Sequence, residues 1–322
     1  MKKILPVFIL LLFLSGCSVN ADYIEPEDRV IVSAIGIQNS QNNILLTLET
    51  VDISTNSNED AYSTKILTGV GKTVYQAVAD AENKAYGEVL FSQCPVILID
   101  TGITAQQLNG IWDYCLESEN ISLAVRLLVT YDPYSVLNDN NTKKALGYEI
   151  MNLLEYGDEV SGVTKYDTFV TIVNLRNNDS FVYRIPFLTN TDGINIGGAA
   201  VFQNDRLTFI ADLPEAQLLQ TMCGSLKNCT LICEDSVIDV KKTYTTADID
   251  GTTVNINIKI TAENFNGLTD EKSVSEELHS KLNSLIKSHT NEILQLLKQN
   301  HRKISNSKIA EITTEISITE EL

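Results

Sequence analysis

Along the first part of the chain the apolar positions switch between a period of two and a period near 3.6, the repeats that define strand and helix faces. Arg29 to Ile37 is rich in β-branched residues and predicts a strand. A polar turn at 39–43 and an alternating run from Ile44 to Ile53 predict its antiparallel partner, and after a polar loop at 56–60 Tyr62 to Val70 predicts a third strand. Thr73 and Gln76 have capping-box spacing, and Val74, Ala77, Val78, Ala81 and Ala85 follow at helical period until Gly87. Pro95 to Ile99 is an unbroken apolar run, as in a strand buried on both faces. Thr104 and Gln107 make a second box, stapled by Ile103 and Leu108, with Leu108, Ile111, Trp112 and Cys115 as the apolar stripe. Ile121 to Val129 alternates as a strand that stops at Asp132-Pro133.

Beyond a loop signal at 138–141, Lys144 to Tyr156 carries Leu146, Ile150, Leu153 and Leu154 at helical spacing. Phe169 to Leu175 fits either period. Phe181 to Leu188 predicts a short strand that Pro186 would place at a sheet edge, since proline cannot donate to a ladder. Ile194 to Phe202, the turn Asn204-Asp205 and Leu207 to Ile210 predict a hairpin, in which Gly197-Gly198 marks either a bulge or a close approach of another backbone. Asp212 is a candidate N-cap for a helix from Pro214 to Met222. Thr230 to Thr245 and Thr252 to Ala262 alternate around an Asp250-Gly251 hairpin signal. Ser273 to Asn300 predicts one long amphipathic helix, with Val274, Leu278, Leu282, Leu285, Ile286, Ile293, Leu296 and Leu297 on its apolar face. Residues 304–322 alternate weakly, as a terminal strand or a frayed tail.

These elements predict an α+β fold of three consecutive mixed α/β domains, at 29–135, 136–213 and 214–322, with mainly antiparallel sheets, flanking helices and the long helix in the last domain. A different pattern precedes them. Lys2 and Lys3 lead an apolar run of eleven residues from Ile4 to Leu14, broken only by Pro6. A membrane span needs about 20 apolar residues, so the run fits the apolar part of a secretory signal. It ends in Leu14-Ser15-Gly16-Cys17, which resembles the lipobox of bacterial lipoproteins. That resemblance implies removal of residues 1–16, a diacylglyceryl group on Cys17, and an acylated tether over 17–28.

Charge narrows the partners. The chain has 24 basic and 42 acidic residues. Without Lys2 and Lys3, 22 basic residues face the same 42 acids, giving a body of −20. Such a body is a poor nucleic-acid binder, because phosphate contacts need Lys and Arg. Five cysteines remain besides Cys17, namely Cys94, Cys115, Cys223, Cys229 and Cys233. They are either buried thiols or include one disulfide within the close set Cys223, Cys229 and Cys233.

The sequence gives little ground for catalysis. Its histidines, His279, His289 and His301, fall in the last fifth of the chain, and His289 lies beside the apolar stripe as a packed residue would. There is no Gly-x-Ser-x-Gly elbow and no Gly-rich phosphate loop with a lysine. Glu276-Glu277 and Glu320-Glu321 read as solvated acids. Trp112 belongs to the stripe of its helix, as core; exposed, it would be an interface anchor. No cofactor or metal is expected.

Three segments together resemble the Ger(x)C family, the C subunits of bacterial spore germinant receptors. They are Asp28 to Ile37, the helix–strand–helix–strand run from Gly71 to Tyr131 with Arg126, and Pro186 followed by Gly198-Ala-Ala-Val-Phe-Gln-Asn-Asp-Arg-Leu207. Glu215 and Leu218-Leu219 continue the likeness, whereas Ser18-Val19 stands where the family carries Trp-Asp and Phe209 where it carries Gly. The resemblance implies three α+β domains, a lipid anchor on the outer face of the spore inner membrane, no enzymatic activity, and the integral-membrane A and B receptor subunits as partners. A solute-binding lipoprotein of an importer is the alternative. That class is built on repeated βαβ units, and adjacent strands dominate here.

Overall fold

The computed structural model describes residues 29–52, 63–118, 121–139, 145–162, 168–191, 193–223, 226–233, 236–267, 271–301, 304 and 309–320. The signal segment, Cys17 and the tether expected from the sequence lie outside the described residues.

The first sheet begins with β1 (Arg29–Ser40), β2 (Asn43–Asp52) and β3 (Ser63–Gly71), joined as an antiparallel meander. Helix α1 (Val74–Glu82) starts at Thr73, whose hydroxyl accepts from the Gln76 amide. The short β4 (Glu88–Leu90) and β5 (Val96–Asp100) both run parallel to β1. Helix α2 (Ala105–Glu117) carries the full capping box foreseen at Thr104 and Gln107. Strand β6 (Arg126–Thr130) is parallel to β5 and starts later than the alternation suggests; Ile121 and Val125 are buried in the turn before it. Two helices, α3 (Pro133–Leu137) and α4 (Leu146–Ser161), follow, and then α5 (Phe169–Leu175), which settles the ambiguous segment as a helix capped by Thr168.

Strands β7 (Val182–Thr189), β8 (Asn195–Gln203) and β9 (Arg206–Asp212) complete a sheet in the order β3-β2-β1-β5-β6-β7-β8-β9, with β4 beside β1. The edge position expected for Pro186 is wrong: β7 lies between β6 and β8. Proline is accommodated there because β6 and β7 pair only at Val129 and Phe187, so few amides on that side of β7 are needed for the ladder. Gly197 is the extra residue of a bulge, since Phe187 pairs with Gly198 and Leu188 with Ile196. The other reading, a close backbone approach, holds at Gly198, which has φ +144° and lies so near β9 that a Cβ would sit 2.0 Å from the Ala211 carbonyl oxygen.

The sheet is sandwiched, and its strands alternate accordingly. Ile97 and Ile99 of β5 face a core formed with α1, α2 and α5, while Val96 and Leu98 face a core formed with α3 and α4. All five residues of β5 are buried, as its unbroken apolar run requires.

Helix α6 (Leu213–Met222) has a capping box from Asp212 and Glu215. The second sheet follows, in the order β10 (Lys227–Ile232), β11 (Ser236–Asp250), β12 (Thr253–Gly267) and β13 (Glu311–Glu320). The single strand expected over 230–245 is thus two strands, β10 and the start of β11, while the hairpin at Asp250-Gly251 forms as expected. The weakly alternating tail supplies β13, parallel to β12. The long helix is two helices, α7 (Glu271–Ser288) and α8 (Thr290–Asn300), broken at His289 with φ −132° and ψ 43°. Beside the break the Thr290 hydroxyl donates to the Ile286 carbonyl one turn back, a bond that bends helices. The apolar faces of α6, α7 and α8, the second sheet, and Val182, Ala199, Val201 and Ala211 of the first sheet form one continuous core.

Candidate functional site

Cys17, the one site residue singled out in the sequence, lies outside the described residues. The other five cysteines are reduced thiols, none of them in a disulfide. Cys94, Cys115, Cys229 and Cys233 are buried, and the disulfide alternative within the 223–233 set is not formed. Burial pushes the Cys94 and Cys115 thiols up to about 12 and the Cys233 thiol up to about 11. Since the thiolate is the reactive form, these sulfurs are inert packing groups.

The histidines do not converge. His289 stacks on Phe209 of β9, with ring centroids 3.6 Å apart at 14°. His301 Nε2 lies 3.1 Å from the Met222 carbonyl oxygen at the end of α6. His279 Nε2 lies 2.7 Å from the Thr314 carbonyl oxygen on β13. Each joins α7 or α8, or their ends, to a neighbouring element, as packed histidines do. Among the described residues no group of His, Cys, Asp and Glu is arranged to hold a metal ion.

Two buried acids are hydrogen-bonded to elements distant in sequence, and neither was foreseen. Asp205 occupies the β8–β9 turn at φ +61°, beside Asn204 at φ +49°. Its carboxylate accepts from Trp112 Nε1 at 3.2 Å, Tyr183 Oη at 2.8 Å and Arg176 Nε at 3.0 Å. Burial and the adjacent Asp205 charge hold the Tyr183 hydroxyl far above its usual range. Trp112 is fully buried, so it is core and not an interface anchor. Asp205 reads in sequence only as a turn residue, and its charge is no guide to its burial. Glu49 of β2 accepts from Ser33 Oγ at 2.6 Å and from the first amides of α4, Leu146 N at 2.7 Å and Gly147 N at 3.0 Å. Both carboxylates are saturated by donors that the fold itself supplies, an arrangement suited to holding elements together.

Among the described residues the surface includes two concavities. One, of about 340 Å³, lies where α1 and α2 begin, lined by Lys72, Tyr75, Thr104, Gln107 and Asp113 among others. The hydroxyls of Thr73 and Thr104 there are engaged in capping their own helices. The other, of about 480 Å³, is a groove between α7 and β13.

The family model described as "Spore germination protein N-terminal domain" matches residues 22–188, just over half of the chain. The chain belongs to this family of spore germination proteins. It is the family to which the segments at 28–37, 71–131 and 186–207 pointed. Comparison with curated proteins gave no match. A solved structure described as "Crystal Structure of the GerBC protein" is similar, at 13% identity and a TM-score of 0.47, covering 89% of this chain and 97% of that one. In this spore germination protein no described helix is long and apolar enough to cross a membrane.

Proposed function

We propose that this spore germination protein is the lipid-anchored subunit of a nutrient germinant receptor. It is held on the outer face of the spore's inner membrane by acyl chains on Cys17. It works by contact with the receptor's integral-membrane A and B subunits and not as an enzyme. The observation that carries this reading is the order of signals along the chain: the box Leu14 to Cys17 stands directly before the family match at residue 22. Each buried acyl methylene contributes about 0.8 kcal/mol, so two or three chains hold a protein durably. The anchor is needed because a body of −20 is repelled by anionic lipid.

Cys17→Ala tests the reading in spores. The expected result is loss of the protein from the membrane fraction and loss of the nutrient response, with unchanged protease resistance of the folded body. Undiminished membrane retention in the variant, or an unacylated N-terminal peptide from the wild type by mass spectrometry, would overturn the anchor. Crosslinking in spore membranes is expected to recover A-type and B-type subunits, and a partner list without them would overturn the receptor assignment.

A further inference from the structure

Strand β13 is the outermost described strand of the second sheet and pairs only with β12. It is rich in β-branched residues, with Ile312, Thr313, Thr314, Ile316, Ile318 and Thr319 in a ten-residue strand. A strand edge of this kind is a template for another chain unless something covers it. The cover here is thin. Ser275 Oγ donates to the Ile316 carbonyl at 2.6 Å, His279 Nε2 lies 2.7 Å from the Thr314 carbonyl oxygen, and the Thr314 hydroxyl donates to Asn283 Oδ1 at 2.9 Å. Ser275, His279 and Asn283 are spaced by four along α7, and Thr314 and Ile316 by two along β13. One stripe of helix side chains therefore meets one side of the strand.

The groove between α7 and Thr314 to Ile318 is open to solvent alongside these contacts. A floor made of a strand edge and a wall made of a helix is the geometry in which an extended peptide adds a strand, backbone to backbone. The present side-chain bonds to the two carbonyls are exchangeable. An incoming peptide amide replaces a hydroxyl or imidazole with little net change, because one hydrogen bond to the carbonyl is exchanged for another. Charge selects the occupant. Glu271, Glu276 and Glu315 line the groove against Lys272, on a chain of net charge −18.

We propose that this groove takes an extended, basic segment of a partner protein, which adds to the second sheet as a strand alongside β13. The proposal stands apart from the receptor reading, because it is tested in solution without any receptor subunit.

The test uses the full chain in detergent and a fluorescent peptide of alternating lysine and valine, read by anisotropy at low salt. Two control peptides carry glutamate in place of lysine, or the same side chains with every second backbone nitrogen methylated. The expected result is saturable binding of the lysine peptide, weakened by at least about tenfold on methylation, since methylation removes the ladder donors. The double variant Glu276→Lys/Glu315→Lys is expected to lose the lysine peptide by a similar factor and to gain the glutamate peptide, at unchanged Tm. No binding, equal binding of the methylated peptide to the wild type, or affinity unmoved by the double variant would each overturn the proposal. The methylation arm needs no variant, so a misfolded double variant does not protect the idea.

Discussion

Asp205 sits in a tight turn, yet it holds three elements that lie far apart in sequence. Its carboxylate takes hydrogen bonds from α2 through Trp112, from β7 through Tyr183, and from Arg176 at the end of α5. Removing one partner of a buried charge pair typically costs about 3–5 kcal/mol, because the other charge stays behind uncompensated. Asp205→Ala also places alanine at φ +61°, a conformation that asparagine and aspartate tolerate better. The expected loss is about 3 kcal/mol or more in urea unfolding. Asp205→Asn also leaves Arg176 uncompensated but keeps the turn and the bonds from Trp112 and Tyr183, and is expected to lose about 1–2 kcal/mol less than the alanine variant. Equal midpoints for the two variants would show that the turn preference and the hydrogen bonds from Trp112 and Tyr183 contribute nothing. The cysteines carry a second expectation. With Cys94 and Cys115 pushed up to about 12 from an ordinary 9.0, the folded chain keeps protons that the unfolded chain loses. Their contribution is complete below about pH 9 and is lost as pH rises from there towards 12. At pH 8 an alkylating reagent should leave both unlabelled by mass spectrometry until urea is added, and native labelling at either would contradict their burial.

At the level of elements, the start of α4 shows a local rule reversed by its surroundings. Gly147 is the second residue of the helix, where Gly→Ala ordinarily stabilises by up to about 1 kcal/mol. Here a Cβ would stand 1.8 Å from the Ser33 carbonyl oxygen of β1. The close approach is also what brings the amides of Leu146 and Gly147 onto Glu49. Gly147→Ala is therefore expected to destabilise by about 2 kcal/mol, in the range of overpacked cores, and to be read as a lowered urea midpoint. A neutral or raised midpoint would mean that β1 and α4 yield easily. The same contrast explains what was legible in the sequence. The caps at Thr73, Thr104 and Asp212 rest on neighbours three residues away, and the stripe of α2 rests on helical period, so both could be read directly. The interior place of Pro186, the parallel pairing of β12 with β13, and the meeting of Glu49 with α4 rest on partners tens of residues distant. The break at His289 was hidden for another reason: the apolar stripe continues through it, and only a Thr290 side-chain bond and the Phe209 ring mark it. Of the candidate functional features, the segment Leu14 to Cys17, on which the proposed anchor rests, is contiguous and so stands out in the sequence itself. The β13 groove was invisible because helix and strand meet only in the fold.

For the molecule as a whole, the question is whether two sheets make two folding units or one. Val182, Ala199, Val201 and Ala211 of the first sheet share a core with α6, α7, α8 and the second sheet. Phe209 of β9 stacks on His289 between α7 and α8, and His301 reaches the Met222 carbonyl. Exposing that shared surface during unfolding of either sheet would leave apolar groups of the other in water, at about 25 cal/mol per Å². The two sheets are therefore expected to unfold together. Trp112, the only tryptophan, lies in the first sheet's other core, so its fluorescence reports that sheet. Amide exchange in β11 and β12 reports the second. The two midpoints in urea should coincide in the wild type. Phe209→Ala should lower both together by about 2 kcal/mol, less than the 3–5 of a fully buried phenylalanine because Phe209 is only partly covered. A fluorescence transition completed while β11 and β12 remain protected would mean that the sheets fold independently. In that case a signal received by one sheet would reach the other only as a rigid-body displacement, whereas one shared core lets a strain at β13 or α7 be felt at Phe209 and through the first sheet.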